Sequence, residues 1–161
     1  MKTFTLIHVA ISLVAIVSGL VVMFGLLAAK RLEGWTKLFL VTTIATSVTG
    51  FLFPYHGITP GIIVGIISLV LLAAAVIARY ARHLAGGWRS IYVITAMIAL
   101  YLNVFVLIAQ LFEKVPVLKA LAPTQSEAPF AVAQLLTLAL FFISTIFAAI
   151  RFRLPVQRTI A

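Results

Sequence analysis

Of 161 residues, 64% are hydrophobic and 9% are charged, and the mean hydropathy is +1.25. A soluble domain carries roughly 45–50% apolar and about 25% charged residues, so this composition cannot cover a water-facing surface and excludes a cytosolic enzyme or a secreted module. The formal charge of +9 arises from twelve Lys and Arg against three Glu and no Asp. Membrane proteins acquire such a balance by concentrating Lys and Arg beside cytoplasmic headgroups, and no basic run interleaved with aromatics points to nucleic acid.

A hydrocarbon core of about 30 Å needs roughly 20 apolar residues per helical crossing. The first apolar run spans about residues 4–29 and is closed by Lys30, Arg31, Glu33 and Lys37. It is too long for the apolar region of a signal peptide, so it reads as a retained helix. The second spans about 38–53, bracketed by Trp35 and Tyr55 and stopped by Pro54. A turn through His56 and Gly57 leads to Thr59-Pro60, an N-cap residue followed by a proline at the first helical position. The third span, about 61–78, extends through Arg79, Arg82 and His83 to a stop at Gly86-Gly87.

The fourth span covers about 90–112 and the fifth about 129–150. Between them lies a loop, 113–128, in which Val117, Leu118 and Leu121 can form a short amphipathic turn at the interface. In the same loop, Thr124-Gln125-Ser126-Glu127 fits a capping box that gives Glu127 a local role. The expected fold is therefore an all-α, single-domain, five-transmembrane-helix bundle. Five crossings place nine Lys and Arg on one side and three on the other, which predicts an outside N-terminus and a cytoplasmic C-terminus in a bacterial inner membrane.

Lipid provides no hydrophobic drive for helix association, so small and polar residues mark the buried faces. The stripes are His8, Ser12, Ala15 and Gly19 in the first helix, Thr42, Thr46 and Gly50 in the second, and Gly61, Gly65 and Ser68 in the third. The fourth carries Tyr92, Ala96, Ala99, Asn103 and Gln110, and the fifth Gln134, Thr137, Phe141, Ser144 and Ala148. Sorted by depth, His8, Asn103, Gln110 and Gln134 fall in the extracytoplasmic half, with Tyr55, His56, Glu113, Lys114, Gln125 and Glu127 above them.

That asymmetry predicts a pocket for an amphipathic or lipid-like molecule in the outer half of the bundle, non-catalytic or transport-related, with the long loop as a lid. Its ligand-binding residues are His8, Asn103, Gln110, Gln134, Tyr55 and His56, and Phe130, Phe141, Phe142 and Phe147 would contact an apolar tail. His8 is expected to bond to Gln134 or Ser12. One alternative is a haem, metal or quinone redox protein using His8 and His56, with Glu127 or Glu113 as a further metal ligand. Another is an accessory subunit of a larger membrane complex or a homo-oligomer. The absence of Cys removes thiolate metal sites and Cys nucleophiles. No GxSxG, HExxH, GxxxxGK[ST] or GxGxxG segment supplies a catalytic motif, so an enzymatic role and a cofactor are left open.

Overall fold

Apolar runs interrupted by basic clusters and prolines give a computed structural model, describing residues 2–54, 57 and 59–152, that contains helices and no strands among those residues. The elements are α1 (Lys2–Leu27), α2 (Glu33–Gly50), α3 (Pro60–Val76), a π-turn (Ile77–Ala81), α4 (Trp88–Lys114), α5 (Pro116–Leu121) and α6 (Ala128–Arg151). Among the described residues, four segments are long and apolar enough to cross a membrane: α1, α3 with its π-turn, α4 and α6. Helix α2 is as regular as the others, but Glu33, Lys37 and the hydroxyls of Thr36, Thr42, Thr43, Thr46, Ser47 and Thr49 make it the least apolar long helix.

The local start and stop signals act unequally. Thr59 caps α3, its hydroxyl accepting from the Ile62 amide at 3.4 Å with Pro60 at the first helical position, as expected. The expected stop at Gly86-Gly87 is corrected. The α-helix ends at Val76, widens into a π-turn closed by Arg82 N–H to the Ile77 carbonyl, and finishes with Leu84 N–H donating to the Ala78 carbonyl. This last bond links residues six apart, one more than the usual closing bond of an α-helix C-terminus, and the chain reaches it through left-handed backbone at His83 (φ 49°) and Leu84 (φ 58°). The terminator is therefore a non-glycine pair held by the burial of Leu84.

Helix α4 is the hub, in contact with α1, α2, α3, α5 and α6. Its predicted inward stripe holds over its first half, where Tyr92, Ala96 and Ala99 are buried, but Asn103 is only half-buried and Gln110 is exposed; that of α6 holds through Gln134, Phe141 and Ala148. In α1 the buried set includes Ala15 and Gly19. In α2 the face is rotated by one residue from expectation: Thr36, Phe39, Leu40, Thr43 and Ser47 are buried, whereas Thr42 is half-exposed and donates to its own helix at the Leu38 carbonyl. Aromatic Phe39 and Leu40 set that face, because burying their area outweighs hiding a hydroxyl that its own helix already satisfies.

The dense core lies in one half of the bundle. It is built from the end of α1 (Val22, Met23, Leu26), the start of α2 (Phe39, Leu40), the end of α3 (Leu72, Ala75) with Ala78 of the π-turn, and the start of α4 (Tyr92 to Leu100), closed by Ala148 and Phe152. Arg89 ties this end together by donating to the Ala149 carbonyl at 3.2 Å and to the Phe152 carbonyl, which satisfies acceptors left open at the terminus of α6. Lys30, Arg31, Lys37, Arg79, Arg82, Arg89 and Arg151 sit at the same end, where α1 stops and α4 starts.

Candidate functional site

At the opposite end the helices leave space. A cavity of about 590 Å³ lies between the first half of α1 and the second half of α4, lined by Thr5, His8, Val9, Ser12, Leu13 and Ile16 of α1 and by Asn103, Leu107, Gln110, Leu111 and Lys114 of α4. Phe53, Pro54 and Val115 complete its wall. Such a volume falls in the range of small-molecule pockets, and the pattern of apolar walls with a few polar groups is theirs too. His8 and Asn103 also line a second cavity of about 100 Å³ between α2 and α3, so these two side chains stand between the two spaces.

The hydrogen bonds of His8 define what it presents. Its Nδ1 lies 2.8 Å from the Thr49 hydroxyl oxygen, and the Thr49 hydroxyl donates to the Ala45 carbonyl at 2.7 Å. With the one Thr49 proton assigned to the Ala45 carbonyl, Thr49 accepts from His8 Nδ1–H, and in that tautomer the neutral imidazole carries its lone pair on Nε2. Phe53 stands edge-on against the ring, with centroids 5.1 Å apart, and fixes its plane. The expected partners of His8 are thus replaced by Thr49. Ser12 instead donates to the His8 backbone carbonyl at 2.7 Å, and Gln134 is elsewhere.

Asn103 spends one amide proton on the Thr43 hydroxyl at 3.3 Å, which points it across α2. Gln110 is exposed at the rim and donates to Glu113 at 3.4 Å. Three of the residues singled out from sequence, His8, Asn103 and Gln110, therefore line one cavity. Gln134 does not line it: it is buried between α6 and α4, donating to the Phe105 carbonyl at 3.1 Å, with its own carbonyl oxygen buried and unpartnered. Phe142 and Phe147 point away from the bundle, Phe141 packs against Tyr101 in the core, and Phe130 stacks edge-on against Phe112, so none of them lines this cavity. Tyr55 and His56 lie outside the described residues. Sequence reading placed Ser12 on the packing stripe of α1 but not in a ligand-binding set, and it gave no role at the site to Thr5 or Thr49, hydroxyls that in a long helix look like ordinary small-residue filler.

The connection beside the cavity forms a short helix, α5, with Val117 and Leu121 exposed. Gln125 anchors the chain behind it by donating to the Ala109 carbonyl at 2.8 Å. Only Lys114 and Val115 of this region touch the cavity, so the lid expectation reduces to one cation at the mouth. Glu127 has the local role anticipated, in a different form. It occupies the N-cap position itself, and its carboxylate reaches back to accept from the Thr124 hydroxyl at 2.8 Å and from the Thr124 and Ser126 amides. The Thr124 hydroxyl chiefly, with those amides, holds the Glu127 carboxyl below its usual range. Among the described residues no group of three His, Cys, Asp or Glu converges, and Glu127 is committed to its own turn.

Comparison of the chain with known protein families, with curated proteins and with solved structures finds no match.

Proposed function

We propose that this chain is a five-crossing membrane protein, N-terminus outside and C-terminus in the cytoplasm, that holds an amphipathic or lipid-like small molecule in the outer half of its bundle without performing chemistry on it. The observation that carries this reading is the 590 Å³ cavity, in which His8, Ser12, Asn103 and Gln110 face a wall of Val9, Leu13, Ile16, Leu107 and Leu111. The polar set favours a head with hydroxyl or acid protons to give, because His8 offers a lone pair at Nε2 and Asn103 a side-chain carbonyl. Lys114 at the mouth adds attraction for a head that is acidic.

A photoreactive fatty alcohol added to the purified protein tests this. Cross-links are expected to concentrate on residues 5–16 and 103–115; cross-links spread over the outer face of α6 would contradict the reading.

Counting α2 as a crossing is supported by its 18 residues, about 27 Å of helix at 1.5 Å per residue, running back along α1 from a short connection. The orientation is supported by the basic residues gathered at the dense end. Because the chain has no Cys, single replacements report topology cleanly. In intact cells Lys119→Cys should react with a membrane-impermeant maleimide, whereas Lys37→Cys should react only after permeabilisation. The reverse pattern would invert the bundle.

A further inference from the structure

The basic end carries a polar cleft that the outer pocket does not account for. About 290 Å³ in volume, it is lined by Arg31, Glu33, Arg79, Tyr80 and His83. An arginine at the end of an apolar helix ordinarily snorkels to the headgroups. Arg79 instead is turned inward, its side chain only 4% exposed. The π-turn at Ile77–Ala81 carries it, and such turns recur at binding sites because they re-aim one side chain out of helical register.

The guanidinium lies over the Tyr92 ring, 5.1 Å from the centroid, and near Tyr80 at 5.9 Å. Its Nη2 donates to Glu33 at 2.7 Å, yet its Nε is buried with no hydrogen-bond partner. Glu33, the one carboxylate among the described residues that line the cleft, is 64% exposed and so resides largely in water. Arg31 makes no ion pair among the described residues. Two guanidinium groups against one carboxylate leave a surplus positive charge, with His83 beside it as a further donor. A buried cation that is only part-compensated is expensive to keep, so an additional anion would complete the site.

We propose that this cleft binds a phosphate-bearing anion, with Arg79 and Arg31 donating to its oxygens and Glu33 yielding toward solvent as the anion enters. Planar guanidinium forks match phosphate geometry, and the cleft sits at the basic end of the bundle, where the proposed orientation puts phosphate headgroups within reach. The source is either the phosphodiester of an anionic lipid headgroup or free phosphate.

The test uses the full-length protein in phosphatidylcholine nanodiscs, with short-chain phosphatidylglycerol and inorganic phosphate as separate probes. Phosphatidylglycerol is expected to bind, Arg31→Gln and His83→Gln to weaken binding, the former by about tenfold, and Glu33→Gln to tighten it by removing the competing carboxylate. Lys30→Gln removes the same charge outside the cleft and should leave affinity within about twofold. Displacement of the lipid by inorganic phosphate would assign the site to any phosphate, and lipid binding without displacement would assign it to the headgroup. Equal weakening by Arg31→Gln and Lys30→Gln, or no binding of either probe, would overturn the proposal. These variants alter exposed side chains, so loss of binding is separable from loss of folding, which Arg79→Lys alone would not permit.

Discussion

Gly19→Ala, a change of one methyl group, should destabilise the bundle by about 1–3 kcal/mol, the usual cost of overfilling a dense core. A Cβ at this position would lie 2.4 Å from Leu100 Cδ1 and 2.8 Å from the Phe39 ring. Either neighbour could yield if it were free, but Phe39 and Leu100 are each only 1% exposed and are held by the rest of the core. Gly19 thus leaves room for side chains of α2 and α4 to pack against the α1 backbone, the role small residues take when lipid supplies no hydrophobic drive. Gly34→Ala is the control, since nothing lies within 4 Å of its added methyl. A denaturant titration in mixed micelles should show a lowered midpoint for Gly19→Ala and an unchanged or raised one for Gly34→Ala. Equal midpoints would mean that the three helices do not meet there.

Tyr92→Ala is expected to cost about 3–5 kcal/mol, comparable with truncating a buried aromatic in any dense core. Tyr92 is fully buried, contacts Phe152 with ring centroids 6.2 Å apart, and supports the Arg79 guanidinium on its face. Its hydroxyl is buried beside the Thr36 side chain without a well-formed hydrogen bond, so Tyr92→Phe keeps the ring contacts and loses at most a weak interaction, a change that should cost far less than Tyr92→Ala. The same titration distinguishes the two variants. A large loss in Tyr92→Phe would show that the hydroxyl, and not the ring, carries the contribution.

The sequence disclosed the faces of α4 and α6 because their small and polar residues repeat at helical spacing with little to compete. It misplaced the face of α2 by one residue because six hydroxyl residues there offer two stripes, and only the burial of Phe39 and Leu40 chooses between them. The partner of His8 was recoverable in principle. Counting back along the α1–α2 hairpin from its turn at residues 28–32 brings the last turn of α2, and so Thr49, beside His8. Gln134, at similar depth, belongs to a different helix interface.

Arg79 was not recoverable. A charged residue after an apolar run reads as a headgroup contact, and its inward turn depends on a π-turn, on left-handed His83 and Leu84, and on a tyrosine thirteen residues away in sequence. None of these has a local signal, and the glycine pair nearby gives a misleading one. His8, Asn103 and Gln110 were easier to find because an amide or imidazole within an apolar run has no headgroup to explain it.

If the space between α1 and α4 holds a molecule, native mass spectrometry of the protein released from mild detergent will detect it. The wild-type chain should carry a bound amphipathic species, and Ser12→Trp, which fills the cavity from its α1 wall, should lose it while retaining the wild-type unfolding midpoint. A wild-type chain that is released bare from its native membrane, or a filled variant that retains the same bound species, would contradict it.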